Sequence, residues 1–160
     1  MRIHHELSYD EPPDRVYAML STPAFREAVC GRLRVLRSTV EITPHGVGMK
    51  AVIDQVQPAT GVPSFAKRFV GDEITIRQQE SWSSPAGADL EVTIPGKPGS
   101  MLGSITLAAV GAGSRQTVDA DVTVPLPLIG SKLERMIADM LHRSLDAENT
   151  VGRDWLAERP

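Results

Sequence analysis

The sequence predicts an α+β domain in which one long C-terminal helix folds back across the sheet it has just left. Three observations predict it. Residues 35–124 alternate apolar and polar positions with period two, the pattern of half-buried strands. From Leu133 the spacing switches to 3/4, through Ile137, Met140, Leu141, Ser144, Glu148, Val151 and Trp155, which puts a stripe on one face of a helix. Between the two lies VPLPLIG (124–130), where Pro125 and Pro127 cannot donate to a strand ladder and Gly130 frees the turn. A helix from about residue 130 to 156 is about 40 Å long at 1.5 Å per residue. Its one-sided stripe needs an apolar partner, and the concave face of the sheet is the nearest.

The remaining elements follow in order. Residues 2–8 read as a short strand, and 10–31 (DEPPDRVYAMLSTPAFREAVCG) as two short helices in tandem. Pro12 and Pro13 suit a first turn, with Asp10 as a candidate cap, and Val16, Met19 and Leu20 share one face. Ser21-Thr22-Pro23 ends that helix and starts the next; Phe25, Ala28 and Val29 repeat the spacing, and Gly31 is the candidate stop. Strands are expected around 36–42, over 49–56, and over 68–82 with a bend or bulge near Gly71. Three more follow the alternations Leu90-Val92-Ile94, Gly103-Ile105-Leu107 and Val118-Ala120-Val122-Val124. That makes six strands, seven with the first. No internal repeat or linker divides the chain, so one domain over 1–160 is expected.

Composition narrows the function classes. The formal net charge is −3 and the pI about 5.8, against the basic footprint of a nucleic-acid binder. Cys30 is the single cysteine, which leaves no intrachain disulfide and no Cys-rich metal site. The first residues carry no apolar leader and no stretch has bilayer-spanning length, so a cytoplasmic protein without stable membrane insertion is expected. His4 and His5 are neighbours on a strand and point to opposite faces; His45 sits in a turn, and His142 lies beside the helix stripe near Asp139 and Asp146. No HExxH, CxxC or GxSxG occurs, and no metal or cofactor is expected.

The strings PDRVYAMLSTPAFRE (13–27) and VPLPLIGSKLERMIADML (124–141), in this element order, resemble the opening and closing segments of the START-like or SRPBCC superfamily, the helix-grip fold of Bet v 1-type proteins. VPSFAKRFVGDEITI and IPGKPG resemble a bacterial branch of it. The resemblance implies a seven-stranded antiparallel sheet wrapped around the last helix, with two short helices between strands 1 and 2 and a hydrophobic cavity inside. It does not imply one activity, because members include lipid carriers, hormone receptors, polyketide cyclases and chaperone activators.

Candidate site residues follow from parity. Ile76, Gln78, Glu80 and Trp82 share one strand face, which turns polar and aromatic toward one end. A buried polar group without a partner costs about 1–3 kcal/mol, so Gln78 and Glu80 are candidate anchors of a mostly apolar pocket with Trp82 as its wall. Ile105, Val122, Met136, Met140 and Ser144 complete the expected lining. Glu148 lies on the same helix stripe and reads as a rim carboxylate paired with Arg115 or Arg153. The stretch 61–69 reads as an entrance loop with Phe65 and Phe69 as gating aromatics and Lys67 and Arg68 facing an acidic head group. The expected occupant is a small hydrophobic or amphipathic ligand such as a lipid, fatty acid or polyketide-like compound. The alternatives are a cyclase- or hydrolase-like enzyme using Glu80 at a raised pKa, and a protein-interaction module with a filled core.

Overall fold

The computed structural model describes residues 1–159. Strand β1 (Arg2–Tyr9) leads into helices α1 (Pro13–Leu20) and α2 (Pro23–Arg32). Strands β2 (Arg37–His45) and β3 (Gly48–Pro58) follow, then a short helix α3 (Ser64–Val70). Strands β4 (Glu73–Ser84), β5 (Gly87–Thr93), β6 (Ser100–Val110) and β7 (Gly113–Thr123) precede the terminal helix α4 (Gly130–Glu158). The seven strands form one antiparallel sheet in the order β1-β7-β6-β5-β4-β3-β2. This is the helix-grip fold: the two helices between β1 and β2 carry the chain from one edge of the sheet to the other.

Parity decides which residues face the helix. Leu7 and Tyr9 on β1, Val118 and Ala120 on β7, and Ile105 and Leu107 on β6 are all buried on that face. Ile74, Ile76, Gln78, Glu80 and Trp82 share the same side of β4, as their spacing predicts. Helix α4 is seated against β1, β7, α1 and α2. It stands farther from the middle strands β3 to β5, so the core is solid on one side and under-filled on the other.

The return from β7 to α4 is built by close approach. The Gly130 N–H donates to the Leu126 carbonyl at 3.0 Å, and a Cβ at Gly130 would lie 2.4 Å from the Val124 carbonyl oxygen. Only glycine lets the helix start there. The Val124 N–H donates to the Glu134 carboxylate at 3.0 Å, pinning the first turn of α4 back onto the end of the strand.

Four local expectations are corrected. Asp10 does not cap α1, whose N-cap is Pro12 and carries no side-chain hydrogen bond. Gly31 lies inside α2; the left-handed residue that ends the helix is Arg34, with φ 56°. Residues 68–70 belong to α3, because Phe65, Ala66, Phe69 and Val70 follow a helical spacing between Pro63 and Gly71. Gly71, at φ 74°, ends that helix, and the bulge of β4 falls at Trp82–Ser84 instead.

Candidate functional site

The under-filled side of the core leaves a partly open cavity of about 90 Å³ between α4 and the concave face. The sheet contributes Ile74, Ile76, Val92 and Met101 as apolar walls, and α4 contributes Met136, Ile137, Met140 and Leu141. Its polar groups are Gln55 and Gln57 on β3, Gln78 on β4, and Ser144 on α4. None of the lining residues is charged. Gln57 donates from Nε2 to Gln55 Oε1 at 3.0 Å, so these two amides partly satisfy each other. An outer vestibule of about 390 Å³ lies next to the inner space and shares Gln57, Ile74, Met136, Met140 and Ser144 with it as a common wall. Arg32 at the end of α2 and Arg143 on α4 border the vestibule, together with the loop around Thr60 and Val62.

Five of the nine expected lining residues border this space: Ile76, Gln78, Met136, Met140 and Ser144. Val122 borders a small side space of about 40 Å³ next to it, which shares Val92, Ile94, Met101 and Ile137. Ile105 and Trp82 lie in the solid part of the core, where Trp82 meets Tyr17 edge-on at 5.5 Å between ring centroids. Phe65 packs against the Ala66, Val124 and Leu133 group with Lys132 Nζ 5.8 Å from its ring. Neither Phe65 nor Phe69 borders the cavity or its vestibule, and Lys67 and Arg68 lie exposed on α3 without lining either. Val70 is the α3 residue that does reach the inner space.

Glu80 is not the pocket acid of raised pKa that the enzyme alternative assigned to it. Its carboxylate is fully buried and receives four donors: Arg26 Nη1 at 2.9 Å, Arg26 Nη2 at 2.8 Å, Trp82 Nε1 at 2.8 Å and Gln78 Nε2 at 2.7 Å. Burial by itself raises such a carboxyl, but the Arg26 guanidinium and these hydrogen bonds outweigh it and hold Glu80 below the usual range. It is an ionised structural group behind the cavity, with Gln78 bridging the two. Glu148 corrects the rim expectation: it is buried, pairs with neither Arg115 nor Arg153, and accepts from Gln116 Nε2 at 3.1 Å. Burial, with Glu80 nearby and only partly offset by Arg26, pushes the Glu148 carboxyl upward. A neutral carboxyl there has a proton to offer Gln116 Oε1, a buried acceptor without a hydrogen-bond partner.

Arg26 is the buried charge behind the cavity that sequence reading passed over. It lies three and four residues before Val29 and Cys30, on the buried side of α2, and a guanidinium there demands a buried carboxylate. The histidines behave as parity requires. His4 faces out to Asp119 at 2.7 Å, while His5 faces in, with its Nδ1 2.8 Å from His142 Nδ1 and its Nε2 3.1 Å from Asp146. Among the described residues no group of three or more His, Cys, Asp or Glu is arranged to hold a metal ion. The Cys30 thiol is buried, and burial raises its pKa.

Fold and site together define a helix-grip protein with an internal, uncharged, mostly apolar cavity under its last helix. Residues 4–156 match the family described as protein of unknown function DUF2505, and the chain belongs to it. The Mycobacterium tuberculosis (strain ATCC 25618 / H37Rv) protein Rv0481c is 25% identical over 114 residues, 68% of this chain and 66% of that protein, just under two thirds of its length. The crystal structure of TTHA0849 from Thermus thermophilus superposes with a TM-score of 0.68 at 16% identity, covering 100% of both chains. The di-domain ARO/CYC StfQ from the steffimycin biosynthetic pathway gives 0.66 at 14% identity, covering 99% of this chain and 51% of that one. These likenesses establish the fold. Among the described residues no helix is long and apolar enough to cross a membrane.

Proposed function

We propose that the protein binds a small hydrophobic or amphipathic molecule, of lipid, fatty-acid or polyketide-like character, in the cavity between sheet and α4, as a member of the START-like superfamily. The observation that carries this reading is the lining. Ile76, Met136 and Met140 stay half-exposed on surfaces that face each other across the gap, although neighbouring positions of the same stripes are buried. A close-packed interior does not leave such side chains apart without a use for the space, and thioether side chains adapt to varied apolar shapes. The polar groups Gln55, Gln57, Gln78 and Ser144 can orient an occupant without the desolvation cost of a buried charge. A cavity of about 90 Å³ has room for about three waters at the roughly 30 Å³ each takes in the liquid, which suits a short chain or one ring of a larger ligand.

The test is uptake of the neutral fluorescent probe N-phenyl-1-naphthylamine. Wild-type protein is expected to bind it, and Ser144→Trp, which fills the junction of inner space and vestibule, to lose binding while keeping its fold. No uptake by the wild type, or equal uptake by the filled variant, counts against the reading.

A further inference from the structure

The geometry points to a specific ligand class for this cavity: an amphiphile with one anionic head, held at the vestibule by Arg32 and Arg143 while its apolar part lies inward. The inference rests on the binding reading above and adds the charge of the ligand.

Two observations carry it. The vestibule lining includes Arg32 and Arg143 and no aspartate or glutamate. Six other arginines of the chain, Arg15, Arg26, Arg37, Arg77, Arg115 and Arg159, each have a carboxylate within 4 Å; of the arginines that do not, only Arg32 and Arg143 line the vestibule. Among the described residues neither Arg32 nor Arg143 has one, although Asp139 precedes Arg143 by one helical turn. Two guanidinium groups from packed helices therefore border one concave space without a counter-charge. Both side chains are exposed, so solvent and salt screen them, and an anion bound at the vestibule supplies the counter-charge that no neighbouring carboxylate provides.

The interior grades the other way. Beyond Ser144 and Gln57 the lining loses all charge and becomes mainly aliphatic and thioether. A ligand that satisfies both ends has a carboxylate or similar anion next to a short apolar body. Guanidinium groups match this head well, since their forked donors engage two oxygens at once. A neutral alcohol leaves both cations unpaired, and an amine adds a third positive charge.

The experiment displaces N-phenyl-1-naphthylamine with octanoate, octanol and octylamine, which share one chain length and differ in head charge. Octanoate is expected to compete about tenfold better than octanol, octylamine worst, and added salt to weaken octanoate alone. In Arg32→Gln/Arg143→Gln the octanoate advantage collapses to about twofold or less while octanol is unchanged. Lys67→Gln/Arg68→Gln, two exposed cations outside the vestibule, keeps the full advantage. Equal competition by octanoate and octanol, or an advantage that survives the double arginine variant, overturns the anionic-head assignment and leaves the cavity reading intact. Failure of the probe to bind at all removes the cavity reading itself, and the assignment falls with it.

Discussion

Arg26 and Glu80 form a two-pronged ion pair, with both guanidinium nitrogens at 2.8–2.9 Å from the two carboxylate oxygens and only 3% and 2% of the side chains exposed. The pair joins α2 to the middle of the sheet, and Arg26 Nε adds a bond to the Leu20 carbonyl at 2.8 Å. Removing one partner strands the other charge in a medium that solvates it poorly. Arg26→Met is therefore expected to lower stability by about 3–5 kcal/mol. Arg26→Met/Glu80→Leu should lose clearly less than the sum of the two single changes, because it buries no orphaned charge. Urea unfolding of the four proteins measures this, and additive losses would show that the charges are not coupled.

Glu148 gives the protein a pH dependence of known sign. Its folded-state pKa lies above the ordinary glutamate value of 4.5, so the folded state holds a proton that the unfolded chain releases first. The associated stability is complete below that value and is lost as pH rises through the folded pKa. Glu80 is opposite: its carboxyl is held low, and its contribution is present above 4.5 and lost on acidification. Glu148→Gln keeps the shape and the bond from Gln116 but cannot ionise. Its urea midpoint should fall less than that of wild type between about pH 5 and about pH 9, leaving the variant the more stable protein at the alkaline end. Parallel curves would mean that Glu148 is not the buried titrating group.

These two carboxylates also show how far the sequence could be read. The strands, the parity of Ile74 to Trp82 and the fold-back of α4 are properties of local period and punctuation, and each is legible in the chain. Which buried acid meets which base is a tertiary fact. Glu80 and Arg26 are 54 residues apart, and nothing local distinguishes a carboxylate waiting for a ligand from one already paired. The helical spacing of Phe65, Ala66, Phe69 and Val70 is present in the sequence, yet a stretch this short between Pro63 and Gly71 reads equally well as a strand start. The Gln55–Gln57 floor continues the buried parity of Ala51 and Ile53 on β3, and only the gap beneath α4 gives those amides a role.

Gly152 sets how deeply α4 sits on β1. A Cβ there would lie 2.7 Å from Tyr9 Cε1 and 3.0 Å from Met19 Cε. Met19 can turn aside, but the Tyr9 ring is rigid and buried. Alanine gains about 1 kcal/mol in helix propensity and loses about 1–3 kcal/mol through overpacking, so Gly152→Ala is expected to destabilise despite being a better helix former. Lifting the helix also alters the space beneath it, and the variant should bind N-phenyl-1-naphthylamine with changed affinity. A stabilised Gly152→Ala with unaltered probe binding would show that the helix has slack at this point.

Leu128 is the one place where the return from β7 to α4 carries visible strain. Its φ is 69°, in the left-handed region, and the side chain is 99% exposed, so it gains no packing in exchange. The neighbours hold it there: Leu126 and Ile129 pack into the apolar group around Val124 and Leu133, and the residue between them must take whatever backbone remains. A bulky residue in that region costs about 1–3 kcal/mol, whereas asparagine tolerates it through local hydrogen bonding. Leu128→Asn is expected to stabilise the protein by about 1 kcal/mol. Leu128→Gly should gain less, because glycine also widens the unfolded ensemble, and Leu128→Ala should gain little, since it keeps the Cβ that causes the strain. Thermal melting of the three variants checks the order; a loss of stability in Leu128→Asn would mean that the leucine side chain makes a stabilising contact in solution.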